Sequence, residues 1–209
     1  MKHTNKFFFL FLGAILILGA CNKTDNSDWE EQARLDSIRI EKAIAEQAPL
    51  LEAYVHDPAN EWHNPIFKEE TGIWYEVLAE GDQDSYDYKL NGNGGLVAPT
   101  IEVKYKGELL NGTVFDETDE ESANKKTLTI NLAQTRVIPA WQFALLPQSI
   151  YYNGQTYPLN GLTEKGLKKG SKIRFITPSP WGYDNKPTDK IPADSPLVFE
   201  IEVVNISDQ

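Results

Sequence analysis

At 209 residues, with 41% hydrophobic side chains, the chain is long enough for one ordinary domain with its own core plus extensions. Its 31 acidic residues against 20 basic ones leave a formal charge of -11, which repels nucleic-acid phosphates, and no basic stripe with interleaved aromatics offsets it. The single cysteine excludes an intramolecular disulfide and a thiolate metal cluster.

Residues 1–20 read as an export signal, with Lys2 and Lys6 as a positive start and Phe7 to Leu18 as an apolar stretch too short to span a bilayer as a helix. It ends in Leu18-Gly19-Ala20-Cys21, which resembles the lipobox of bacterial lipoproteins. That resemblance implies cleavage before Cys21 and acylation of its thiol, so the chain is expected in the bacterial cell envelope, lipid-anchored on the periplasmic or cell-surface side. Several acyl chains on one residue hold a membrane without a spanning segment. Residues 21–27 would be a polar tether.

Residues 28–71 are expected to form a helical extension followed by a loop. Ser27 and Glu30 have capping-box spacing, and Ala33, Ile40, Ala43 and Ile44 lie near helical period, so a helix is predicted from about Asp28 to Ala48, interrupted by Pro49 and continued by Leu50 to Val55. Its thin apolar stripe suits a spacer better than a homodimer seam, which needs stricter heptads. His56 and His63, seven apart with no third strong ligand, read as loop residues and not as a metal site.

Residues 72–209 read as the folded domain. Ile73 to Leu78 has strand composition, and Asn91-Gly92-Asn93-Gly94-Gly95 reads as a flexible connector that lacks the ending of a phosphate loop. Alternation of Ile101, Val103 and Tyr105, and of Leu128, Ile130 and Leu132, predicts two strands, with a hairpin turn at Asn111-Gly112 between them. The acidic run Asp116 to Glu121 lacks the spacing of a calcium loop. Pro139 fits the first turn of a short helix near Trp141 to Leu146. About residues 147–161 an insertion carries Asn153-Gly154 between tyrosine-rich arms, a second hairpin signal, read either as a cap on exposed sheet or as a gripping rim. Lys172 to Ile176 and Leu197 to Ile206 complete a β-rich layer against one short helix, an α+β arrangement.

In this order, Val103-Lys104-Tyr105-Lys106-Gly107, Phe115-Asp116, Val137-Ile138-Pro139-Ala140-Trp141, Pro178 to Tyr183, Lys190-Ile191-Pro192 and Phe199 resemble the FKBP family of peptidyl-prolyl cis/trans isomerases over about residues 97–206. The resemblance implies a twisted antiparallel sheet wrapped around one short helix, with an apolar proline pocket between them. It implies catalytic roles for Tyr105, Asp116, Trp141 and Tyr183, with Trp141 as the pocket floor, and a substrate-binding lining of Phe115, Leu128, Val137, Ile138, Ile191 and Phe199. The Ile138 N–H and the Tyr183 hydroxyl would hold substrate carbonyls, and Asp116 would accept from Tyr105.

Such a pocket needs no metal or cofactor. An X-Pro amide resists rotation by roughly 18–20 kcal/mol because resonance stiffens its C–N bond, and the twisted form is the less dipolar one. A dry aromatic hollow favours that form, and a rate gain of about 10⁵ asks for only about 7 kcal/mol. Partners implied are X-Pro segments of unfolded or exported proteins, with macrolide inhibitors as competitors. Departures from the family pattern are Leu128 in place of an aromatic, Ala140 and Asp184 in place of glycines, Trp181 in the flap, and the 147–161 insertion. These keep open a non-catalytic chaperone or binding module using the same pocket.

Overall fold

A computed structural model describes residues 26–119, 121–122, 125–133 and 137–208. The export signal and Cys21 lie outside the described residues. The chain divides into two units, residues 1–40 and residues 41–209. In the first, residues 26–40 are helical and carry exposed ion pairs, Arg34 to Glu31 at 2.6 Å and Arg39 to Asp36 at 3.3 Å.

The second unit is built on an antiparallel sheet. Helix α1 is Asn26–His56, and the strands are β1 (Ile66–Lys68), β2 (Ile73–Ala79), β3 (Thr100–Leu109), β4 (Val114–Glu117) and β5 (Leu128–Asn131). Helix α2 (Pro139–Leu145) follows, then β6 (Ser149–Tyr152), β7 (Gln155–Pro158), β8 (Lys172–Thr177) and β9 (Leu197–Ser207). The large sheet runs β1-β2-β8-β9-β3-β4, with β5 also paired to β3, and β6 with β7 forms a separate hairpin. This is the α+β architecture, an antiparallel sheet around one short helix with a helix ahead of it.

Alternation decides the faces. Leu197, Phe199, Ile201 and Val203 of β9 and Ile173 and Phe175 of β8 point to one side, where they meet Ala140, Trp141, Ala144 and Leu145 of α2 in the main core. The opposite face is also apolar at Ile176 and Val198, and α1 covers it there with Leu51 and Val55, an i, i+4 pair on one helical face.

That contact amends the reading of residues 28–71 as an extension ahead of the domain, because α1 from Glu41 onward belongs to the sheet's own unit. The continuation expected over Leu50 to Val55 is present, and the interruption expected at Pro49 is not, since α1 runs through it. A mid-helix proline costs about 3 kcal/mol in an isolated helix. Here both flanks are held, by hydrogen bonds from Gln47 to Ser179 and by the burial of Leu51 and Val55. The helix also includes Asn26 and Ser27, so the capping-box spacing falls within its first turn.

Two further segments differ from expectation. Residues 56–71 contain the three-residue strand β1, paired with β2 through Phe67 and Trp74 and too short to show alternation. The glycine-rich stretch after Leu90 is a closed turn: Leu90 bridges Leu96, and the Asn91 side chain accepts from the N–H groups of Asn93 and Gly95 at 2.9 and 3.0 Å. In the 147–161 insertion, Asn153 (φ 49°) and Gly154 (φ 80°) are both left-handed, as a two-residue hairpin turn requires.

Among the described residues of this unit, one cation is buried. Lys168 is only 4% exposed, donates to the Tyr86 carbonyl and stands 5.1 Å from the Tyr88 ring centre. Burial lowers its pKa from the usual lysine value. The Tyr88 hydroxyl donates to the Leu145 and Leu167 carbonyls at 2.8 and 2.9 Å, tying α2 to the same region.

Candidate active site

The site forms where β3, β4, β9 and the start of α2 converge. Pro139 occupies the first position of α2, Ile138 caps it, and the Trp141 N–H donates to the Ile138 carbonyl at 3.0 Å. The Trp141 ring meets Tyr105 of β3 edge-on at 5.0 Å and Phe199 of β9 edge-on at 5.8 Å. Phe199 in turn stacks on Phe175 at 5.3 Å and meets Phe115 of β4 at 5.7 Å, and Phe115 faces Tyr183 at 6.5 Å. A continuous set of rings therefore runs from the sheet to the loop after β8.

Gly107 makes this packing possible, a role that its sequence neighbours alone do not reveal. It sits opposite Phe199 and Asp116 in the strand pairing, and a Cβ there would lie 2.5 Å from the Phe115 ring and 3.0 Å from Phe199. The ring edges occupy the space a side chain would fill.

At the rim the Tyr105 hydroxyl donates to Asp116 at 2.5 Å, and Lys125 pairs with the other carboxylate oxygen at 2.5 Å. Burial, then the Asp116 hydrogen bond, pushes the Tyr105 phenol well above its usual pKa. Burial opposes ionisation of Asp116, yet the hydrogen bonds from Lys125 and Tyr105 outweigh it and hold the carboxyl below its usual value. Tyr183 is raised as well, by burial and then by the nearby Asp116. Thr118 fixes the Tyr105 backbone, accepting from its N–H at 3.0 Å and donating to its carbonyl at 3.2 Å.

A cavity of about 380 Å³ opens between Phe115, Asp116, Tyr183, Thr188, Asp189, Lys190 and Ile191. Lys190 donates to the Phe115 carbonyl at 2.9 Å, and Thr188 accepts from the Ile191 N–H at 3.0 Å, so this loop is laced to β4 and to itself. Of the residues singled out from sequence, Phe115, Asp116, Tyr183 and Ile191 line the cavity directly. Tyr183 is 38% exposed at its mouth. Trp141 is not part of that lining: it packs on Tyr105 and Phe199, 6% exposed, with its indole N–H buried and without a hydrogen-bond partner.

Val137 and Ile138 are half-buried against the same core as Phe199 and Trp141. Leu128 is different: it lies opposite Val103 on β5, 37% exposed, and is not among the residues lining the cavity. Ala140 is fully buried, and Asp184 adopts the left-handed conformation (φ 56°) that a glycine would take without strain. Trp181 is a packing residue, edge-on to Phe143 at 5.6 Å with its indole N–H donating to the Thr71 carbonyl at 2.7 Å. Sequence reading missed Lys125 and Thr188 and quoted Lys190 only as a neighbour of Ile191, because their roles come from loop geometry. His56 packs edge-on against Trp74 at 5.4 Å, and the His63 backbone donates to Glu76 at 3.0 Å.

A family model for FKBP-type peptidyl-prolyl cis-trans isomerases matches residues 97–204. The chain is 36% identical over 171 residues to the FKBP-type peptidyl-prolyl cis-trans isomerase FkpA of Buchnera aphidicola subsp. Schizaphis graminum, covering 82% of this chain and 55% of that protein. To FkpA of Escherichia coli K12 it is 25% identical over 193 residues, covering 88% of this chain and 59% of that one. It therefore spans little more than half the length of these curated relatives. The crystal structure of FkpA from Escherichia coli shares the fold, with a TM-score of 0.50 and 24% identity over 89% of this chain and 75% of that chain. With the family model covering half of its residues, over a stretch that runs from β3 through the ring-lined cavity to β9, the chain belongs to the FKBP-type peptidyl-prolyl cis-trans isomerase family.

Proposed function

We propose that the chain is a peptidyl-prolyl cis/trans isomerase that assists the folding of exported polypeptides. The observation that carries this reading is the open cavity of about 380 Å³ lined in part by Phe115, Tyr183 and Ile191, roomy enough for a prolyl ring and continuous through Phe115 with the Phe199 and Trp141 rings. The X-Pro amide enters with its ring against Phe115, Ile191 and the edge of Trp141. Loss of water from the planar, more dipolar amide raises its energy relative to the twisted state. The Tyr183 hydroxyl and the Ile138 N–H each donate to a substrate carbonyl, holding the flanking chain while the imide turns. Asp116 fixes Tyr105 in place and keeps its own charge. The unpartnered Trp141 indole supports a functional reading, since a buried orphan donor costs about 1–3 kcal/mol that a phenylalanine of similar packing would not incur.

We also propose that Cys21 is acylated after cleavage of residues 1–20, placing the protein on the outer side of a bacterial membrane. Among the described residues no helix is long and apolar enough to cross one. A binding-only reading has one observation in its favour: Tyr151 on the inserted hairpin is 74% exposed, a surface aromatic suited to holding unfolded chains.

A proline-limited peptide assay on the full chain tests the first proposal. Turnover that a macrolide of the tacrolimus type inhibits is the expected result, with Tyr183→Phe lowering kcat/KM by about three- to tenfold and leaving the fold intact. Absent turnover together with retained binding of unfolded polypeptide would replace this reading with that of a binding module. Mass spectrometry of the membrane-fraction protein checks the acyl group, and Cys21→Ser should abolish it.

A further inference from the structure

Gln47 of α1 reaches the loop that forms the cavity rim. Its side-chain oxygen accepts from the Ser179 N–H at 2.8 Å, and its side-chain nitrogen donates to the Ser179 hydroxyl at 2.8 Å and to the Asp194 carbonyl at 3.1 Å. Ser179 and Asp194 bracket the segment that carries Tyr183 and Ile191. Inside that segment, the Ser179 carbonyl accepts from Gly182 and Asp184 at 2.9 and 2.8 Å, and the Asp184 carbonyl accepts from the Asp194 N–H at 2.9 Å. The bonds close on themselves, from Gln47 to Ser179, to Asp184, to Asp194 and back to Gln47.

Three properties make this ring more than a packing contact. Ser179 is fully buried, so water does not compete for its bonds to Gln47. Asp184 and Asp194 both hold positive φ, 56° and 58°, a left-handed conformation uncommon outside glycine that marks two sharp, defined turns in the loop. Tyr183 sits within the ring, immediately before Asp184. The ring draws its other members from the rim loop itself and Gln47 from 132 residues away.

We propose that Gln47 is a positioning residue: it ties both ends of segment 179–194 to α1 and thereby sets Tyr183 and Ile191 against Phe115. This rests on the reading of the cavity as the prolyl site. Gln47 touches no substrate. It acts through the loop, and without it both ends of the loop lose their tie and the rim loosens.

The test compares the full chain with Gln47→Met, Gln47→Glu and Leu51→Ala. Met keeps the length and the helix but removes all three bonds. Glu keeps an acceptor for the Ser179 N–H but sets a second oxygen against the Asp194 carbonyl, so it should fall between wild type and Met. Leu51→Ala loosens the same helix against Ile176 and Val198 without touching the loop. Amide hydrogen exchange at Asp184 and Asp194 needs no turnover and should quicken about tenfold in Gln47→Met, with Val103 and Ile201 unchanged. In the same variant kcat/KM for an X-Pro peptide should fall about tenfold, while Leu51→Ala stays near wild type. Exchange at Asp184 and Asp194 within twofold of wild type in both Gln47 variants overturns the inference, as does an equal loss of kcat/KM in Leu51→Ala. A wild type without turnover whose exchange still responds to Gln47→Met would sink the isomerase reading and leave the loop-holding role of Gln47 standing.

Discussion

At the scale of single residues, the protonation states around the rim point away from titration near neutrality. Asp116 is held below the usual carboxylate pKa and Tyr105 above the usual phenol pKa, so the donor and acceptor of their 2.5 Å bond keep their roles from mildly acidic to alkaline solution. A depressed carboxylate contributes while ionised and loses its contribution only as pH falls through its folded value. The expected pH profile of kcat/KM is therefore flat through neutrality, with a decline confined to pH below about 4, where free aspartate itself protonates. An inflection near pH 6.5, where histidines titrate, would contradict this assignment of the rim chemistry. The rim residues Phe115, Asp116, Tyr183 and Ile191 were legible in sequence because their types and order carry the family pattern. Gly107 was quoted without a reason, since the need for an absent Cβ appears only when Phe115 and Phe199 are brought across from β4 and β9.

At the scale of elements, the short strands and the junctions between them depend on polar ties that hydropathy does not display. Glu76 of β2 is the clearest case. It is almost fully buried on the sheet, pairs with Arg174 of β8 at 2.8 Å, and accepts from the N–H groups of His63 and Asn64 at 3.0 and 2.7 Å. Burial works against its charge, but the Arg174 bond and the two backbone donors prevail and lower its pKa. Arg174 also donates to the Asn60 and Glu61 carbonyls and lies 4.5 Å from the Trp62 ring, so the pair organises the turn leading into β1. Glu76→Ala leaves the partly buried Arg174 guanidinium without its carboxylate and the His63 and Asn64 N–H groups without their acceptor, and a loss of about 3 kcal/mol in denaturant unfolding is expected, with Glu76→Gln losing less. Sequence alternation displayed β3 and β5, and β-branched and aromatic composition displayed β2. Neither displayed β1, whose three residues are too few for a pattern, or the Asn91 turn, which is held by one side chain and not by composition.

At the scale of the whole molecule, the apolar pair Ile176 and Val198 shows why α1 could not be placed from its own sequence. Its stripe looks thin because only Leu51 and Val55 are deeply buried, yet those two cover the outer face of the sheet. Truncation separates the two units. Removing residues 1–40 should leave the thermal midpoint of residues 41–209 within a few degrees of the full chain, whereas removing residues 1–57 bares Ile176 and Val198, deletes Gln47 and should lower it sharply. Circular dichroism melts decide between them, and equal midpoints would mean that α1 contributes nothing to the sheet's stability.

The sealed amine of Lys168 gives this architecture a built-in clock. Acylating reagents label exposed lysines within minutes and should bypass this one while Tyr86 and Tyr88 stay closed around it. Its slow modification then counts each transient opening of the interior, and a ligand that tightens the domain should lengthen the interval between those openings.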